Sequence, residues 1–450
     1  MTPNPRDPLR FEAPVGEIIG WRDHGVIRAT GIRYARAARF ERPTPEPRAS
    51  APVEATTWSP ACPQLQVPFL ERVLGSTLAH LGESEDCLRL SVTRPLERGV
   101  GETLPVMVWI HGGSYVSGAG DALAFDVRAL VEAQRVVVVA VTYRLGLLGF
   151  LGGTGGRPAN LGLFDMLEAL RWVKTNIATF GGDPANVTLF GQSAGGDAIA
   201  HLMISEGAEG LFRRVIIQSA PLGISLGRKK MSEAMASIAS RISASAPVEE
   251  VVAKQNEVAK VARRFGLIGA MPFGTQYGQA PLPDEDELDE AWSRVASRYE
   301  VLIGFAAEEG TLFLPGIPAI QRATQLPLVG GLARLALVSL INTWVYRKAN
   351  ARFAERHAGA GGVAYTYLIT WGSKTNGFGA THTIDLPLLF GDEQTWRTAQ
   401  LVEGAPWEEV HRHAQQVRAL WAQFASAGQL PDAGAIEPDV LTYRRSRSIS

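Results

Sequence analysis

Val187-Thr188-Leu189-Phe190-Gly191-Gln192-Ser193-Ala194-Gly195-Gly196 is the stretch on which the reading of the fold turns. Four β-favouring residues run directly into Gly-x-Ser-x-Gly, and a helical pattern follows from Asp197. Strand, tight turn and helix in that order hold a serine on a strained elbow with its hydroxyl clear of the sheet. Small residues must flank the serine, because a side chain there would meet the neighbouring strand or helix. A second copy, Gly223-Ile224-Ser225-Leu226-Gly227, has Pro221 where a strand would lead in and Arg228-Lys229-Lys230 where small residues would follow. Ser193 is therefore the candidate nucleophile, and Ser225 is not.

Outward from the elbow, Leu104–Ile110 reads as a strand apolar on both faces, as a buried parallel sheet requires, and it runs into His111-Gly112-Gly113-Ser114-Tyr115. Gly16–Trp21, Val26–Tyr34, Arg135–Tyr143, Arg213–Gln218 and Glu300–Phe305 read as further strands, with Val363–Thr370 the last. Asn160–Phe180 carries Leu163, Met166, Leu167, Leu170, Val173 and Ile177 at helical spacing, and Trp407–Ser426 is the closing helix. This alternation predicts an α/β protein with a central, mostly parallel sheet and helices on both faces. The 450 residues read as one domain. Helical insertions at about 227–297 and 315–357 are expected to form a cap or rim over the active site.

Composition excludes other classes. A net charge of −1 gives no pull toward nucleic acid or anionic surfaces at the level of the whole chain. Leu326–Ile341 carries Arg334 and is too short to span a bilayer; it reads as a lid or core helix, with an interfacial helix as the alternative. Met1–Pro8 lacks an apolar core, so a cytoplasmic location with Cys62 and Cys87 reduced is expected. No metal-ligand spacing occurs: His411 and His413 fall on different helix faces as a solvated pair. The basic Thr442–Arg447 reads as a solvated tail.

A serine hydroxyl needs a base, and the base an orienting acid. Glu309 after a strand and His382 in a late loop fit the order Ser, Asp/Glu, His of α/β-hydrolases. The chain resembles the type B carboxylesterase family across nearly its whole length. The motifs are Gly31-Ile32-Arg33-Tyr34-Ala35, Cys62-Pro63-Gln64, Glu85-Asp86-Cys87-Leu88, His111-Gly112-Gly113, Tyr143-Arg144-Leu145-Gly146, Phe180-Gly181-Gly182-Asp183-Pro184, Glu309-Gly310-Thr311 and His382-x-x-Asp385-Leu386.

The resemblance implies an α/β-hydrolase that cleaves carboxylic esters with no metal or organic cofactor, acting on a small-molecule ester as a monomer or small homo-oligomer. It implies Ser193 as nucleophile, His382 as base, Glu309 rather than Glu308 as the acid, and backbone N–H groups of Gly113, Ser114 and Ala194 as the oxyanion hole. Ser219 would support the acid. Tyr115, Leu312 and Phe313 would wall the substrate pocket beside Gln192. Cys62 and Cys87 should lie within bridging reach, and Arg39 should pair with Glu85 and Arg144 with Asp165.

The chain departs from the family in carrying Ser114 for a third glycine, Gln192 for a glutamate and no Pro-Pro-Gly after Ala35. These departures point to a cut-back rim and to neutral esters with compact acyl groups. Amide or carbamate cleavage by the same machinery stays open. A catalytically silent binding role conflicts with the intact Ser193, Glu309 and His382.

Overall fold

The computed structural model describes residues 8–75, 77–153, 156–316 and 330–447. Residues 1–7 of the N-terminal stretch, and 317–329 of the second helical block with the start of Leu326–Ile341, lie outside the described residues.

The strands in chain order begin with β1 (Leu9–Ala13), β2 (Gly16–Asp23), β3 (Val26–Arg33), β4 (Ala35–Arg36), β5 (Thr44–Pro45) and β6 (Val53–Glu54). The central ones are β7 (Arg89–Pro95), β8 (Leu104–Ile110), β9 (Val137–Val141), β10 (Gly182–Gln192), β11 (Arg214–Gln218), β12 (Glu300–Ala306) and β13 (Val363–Ile369). β14 (Ala433–Ile436) and β15 (Leu441–Arg445) close the chain. The main sheet runs β1-β2-β3-β7-β9-β8-β10-β11-β12-β13-β15-β14, with β6 beside β2. From β9 through β13 every neighbouring pair is parallel. This is the α/β-hydrolase arrangement expected from the alternation of strands and helices.

The helices used below are α1 (Pro68–Leu74), α2 (Arg128–Gln134), α3 (Gly146–Gly149), α4 (Leu161–Asn176), α5 (Ala194–Leu202), α6 (Lys229–Ala239), α7 (Val248–Ala262) and α8 (Leu288–Val295). Residues alternate along each strand, so one strand feeds two cores. Val106, Val108 and Ile110 join Leu189, Val215, Ile217 and Val301 under α4–α7. Met107 and Trp109 join Phe190, Ile216 and Leu302 under α2 and the helix Trp407–Ala427. Trp109 is fully buried, with Phe190 and Phe390 at ring-centroid distances of 5.0 and 4.7 Å.

β8 is the pivot. The chain leaves it for β9 on one side and returns to β10 on the other. Such a reversal opens a crevice at the carboxyl ends of the two strands. His111–Ser114 follow β8 and Ser193 follows β10, so both loops enter that crevice.

Both expected ion pairs form. Arg39 Nε donates to Glu85 Oε2 at 2.7 Å, and Arg144 meets buried Asp165 through Nε at 2.8 Å and Nη2 at 2.6 Å. Cys62 and Cys87 are buried free thiols. A hydrogen bond to Cys62, together with burial, raises the Cys87 thiol well above its ordinary value.

Three expectations need correction. Val363–Ile369 is not the last strand, and Thr442–Arg447 is not a free tail: β15 pairs with β13, Arg444 opposite Thr366 and Arg445 opposite Tyr365. Leu441 and Tyr443 turn inward there while Thr442 and Arg444 stay exposed, so one apolar face suffices to hold a basic strand. His413 is buried against Trp371 near Glu409 and Glu437, because an element distant in sequence covers its helix face; only His411 is exposed.

Candidate active site

Ser193 has φ 56° and ψ −122°, a strained conformation for a non-glycine residue, between β10 and α5. Its N–H donates to Gln218 O at 2.8 Å, which fixes the elbow to β11. A Cβ on Gly191 would stand 2.6 Å from Ile110 O and one on Gly195 only 2.0 Å from it, so the end of β8 itself demands the flanking glycines.

His382 is buried, and its Nδ1 meets Glu309 Oε2. Glu309 is fully buried, and its other oxygen accepts from Ala306 N–H at 2.7 Å. Glu308 turns away: it accepts from Ala380 N–H at 2.9 Å and so ties down the loop that leads to His382. With a carboxylate as acceptor, His382 Nδ1 carries the proton, which leaves Nε2 as the basic nitrogen. The Gln192 amide stands 3.2 Å from Nε2, and no Ser193–His382 hydrogen bond forms among the described residues.

Ser114 and Tyr115 have φ 54° and 60°, so the loop after β8 turns through two left-handed non-glycine residues. Several bonds hold it there. Gln64 clamps Gly118, accepting from its N–H at 2.7 Å and donating to its carbonyl at 3.0 Å. Tyr115 donates its hydroxyl to Asp197 Oδ2 at 2.6 Å, and Ser225 also donates to Asp197. The backbone N–H groups of Gly113, Ser114 and Ala194 make no hydrogen bond among the described residues.

A cavity of about 410 Å³ opens onto these groups. Gly112, Gly113, Ser114, Gln192, Ser193 and His382 lie at its base, and Leu312 and Phe313 form one wall. Tyr115 is not a wall; it is fully buried against Phe150, because its hydroxyl is drawn inward to Asp197. Ser219 places its N–H on Gly304 O, and its hydroxyl makes no bond to Glu309 among the described residues. The opposite wall, Leu65, Val67, Leu70, Leu74 and Leu78 around α1, escaped the sequence reading. Its apolar spacing after Pro68 was the available signal. Glu71 and Glu83 also line the cavity, and no lysine or arginine does among the described residues.

The described residues contain no cluster able to hold a metal and no helix long and apolar enough to cross a membrane. Burial pushes His111, beneath the loop after β8, down to about 4, so it stays neutral at physiological pH.

A family model described as the carboxylesterase family matches residues 7–326. The chain is 37% identical to the probable N-octanoylanthranilate hydrolase AqdA2 of Rhodococcus erythropolis, over 93% of both chains. It is 30% identical to the para-nitrobenzyl esterase of Bacillus subtilis, over 92% of this chain and 88% of that one. Among solved structures, a thermophilic PNB esterase superposes with a TM-score of 0.78 at 26% identity, covering 95% of this chain and 93% of that one. Sequence and fold agree over almost the whole length, and the chain belongs to the carboxylesterase family as a carboxylic-ester hydrolase.

Proposed function

We propose that the enzyme acylates Ser193. His382 Nε2 takes the Ser193 proton as Oγ attacks the ester carbonyl. The oxyanion is received by the N–H groups of Gly113, Ser114 and Ala194, which have no other partner among the described residues. Such donors act where charge develops and typically contribute about 10²–10³ in rate each. His382 then passes its proton to the departing alkoxide, an alcohol leaves, and a water deprotonated by His382 releases the acid and restores Ser193. Glu309 holds the ring and balances the imidazolium. The observation that carries this reading is His382, bonded to buried Glu309 and lining the same cavity as the strained Ser193.

The substrate we infer is an uncharged ester with an apolar acyl chain lying along Leu65, Leu70 and Leu74, longer than the compact group first expected. Two lining carboxylates without a lysine or arginine disfavour an anionic substrate. Amide cleavage is the second reading, favoured by the relative whose name specifies an N-octanoyl substrate. In this reading the chain is one domain working in the cytoplasm as a monomer or small homo-oligomer. Its insertions at about 227–297 and 315–357 would form a cap or rim, and the described part of the second, from Gly330 on, is joined to the Glu309 loop through Asn342.

A fluorophosphonate with peptide mapping tests the assignment: the Ser193 peptide alone should be labelled, and label on Ser225 would overturn it. Ser193→Ala should lower kcat by about 10⁴- to 10⁶-fold. A series of p-nitrophenyl esters of rising acyl length, beside matched anilides, reads the chain preference and separates ester from amide cleavage.

A further inference from the structure

The helix Gly330–Ile341 turns apolar side chains to solvent. Leu332, Leu335 and Leu340 are 70%, 66% and 54% exposed, and Trp344 beyond them is 55% exposed. With Ala336 they form a stripe at i, i+3, i+4 spacing, the pattern that normally marks a buried face. The opposite side is bolted down. Val338 is buried, and Asn342 accepts from Gly310 N–H at 2.9 Å and donates to Ala307 O. The helix therefore packs its inner side on the segment that carries Glu309 and the half-exposed Phe313 of the cavity wall, with the stripe facing away from it.

The segment's own charge is one-sided too, although Glu285, Asp286 and Asp289 of a neighbouring element line a groove shared with Trp344 and Lys348. Between Glu309 and Glu355 the chain has no acidic residue and five basic ones: Arg322, Arg334, Arg347, Lys348 and Arg352. At the chain's average of one acid in ten residues, a run of that length would hold four or five. Only Arg352 of the four described cations meets a carboxylate, that of Asp289. Lys348 places its ammonium 4.0 Å from the centre of the Trp344 ring. Leucines with a tryptophan at one end and unpaired cations alongside suit the boundary between headgroups and acyl chains, where apolar burial and charge attraction act together. A second copy fits poorly, because a two-fold contact on this face would bring the same cations together.

We propose that this face docks on the surface of a lipid bilayer carrying anionic headgroups, lying on it rather than spanning it, and so brings the cavity mouth to esters dissolved in the membrane. Docking is independent of the catalytic assignments, and it is measured without substrate. The full-length protein is mixed with vesicles of phosphatidylcholine alone, or with an equal part of phosphatidylglycerol, and bound protein is separated by flotation. The wild type should bind the anionic vesicles about tenfold or more tightly than the neutral ones, and less tightly at high salt.

The triple variant Leu332→Ser, Leu335→Ser, Leu340→Ser should lose about tenfold or more of that binding while hydrolysing a short water-soluble ester within about twofold of the wild type. If the triple variant loses hydrolysis as well, Arg347→Glu with Lys348→Glu decides, and it should abolish the preference for anionic vesicles. A wild type that ignores anionic vesicles, binds neutral ones equally well or keeps its binding in both variants overturns the proposal. So does a wild-type dimer that the triple substitution converts to monomer, since the face would then join two copies.

Discussion

Replacing Gln192 with glutamate would set a carboxylate within reach of His382 Nε2, where the native amide carries no charge. A carboxylate there would stabilise positive charge on the ring and compete with Ser193 Oγ for it. Gln192→Glu should therefore lower kcat/KM for a neutral ester by about tenfold or more at a fixed neutral pH, and an unchanged kcat/KM would contradict this. A buried neighbour makes stability depend on pH. The Asp385 carboxyl is pushed up to about 6, chiefly by burial, with the charge of Glu309 adding and the Gln218 amide opposing. Unfolded, it would ionise near pH 4. The folded protein thus binds the extra proton, and the stability this contributes is full below pH 4 and lost as pH rises through 6. Two units correspond to about 3 kcal/mol. Asp385→Asn should remove most of that slope between pH 4 and 6 in denaturant titrations, and an unchanged slope would refute the assignment.

The loop after β8 shows how an element is held against its own preferences. Ser114 and Tyr115 stay left-handed because Tyr115 is moored to Asp197 on α5, so the oxyanion donors we propose and the elbow share one anchor. Tyr115→Phe leaves Asp197 short of a donor, at a cost of about 1–3 kcal/mol. Donors used mainly in the transition state should then fail before binding does, so kcat should fall with KM little changed; a change confined to KM would contradict this. Residues fixed by local pattern were legible in the sequence. β8 is Leu104–Ile110 as read, and the elbow and His382 meet at one cavity with Glu309 bonded to His382 behind it. What was not legible depends on distant partners. Nothing near Tyr115 in sequence announces Asp197, nothing near His413 announces Trp371, and the α1 wall is close to Ser193 only in space.

For the whole molecule, the late strands are structural rather than ornamental. β15 shields the edge of β13, and Leu441 is fully buried. A chain ending at Val440 loses about 1.5–3 kcal/mol from Leu441 alone and leaves β13 an unpaired edge. Its unfolding midpoint should fall and light scattering should rise on heating, whereas a wild-type melting curve would show that β15 contributes nothing. The same architecture has a consequence in time. Ser193 follows β10, but Glu309 waits for β12, and His382 lies 190 residues beyond Gln192, past β13. Translation at about 5–20 residues per second takes about 10–40 s to cross that interval. Throughout it the nascent chain already carries Ser193 but not His382, the base we propose for it. On that assignment the enzyme is made inert, and it becomes able to attack esters only once its last third has been synthesised and has joined the sheet.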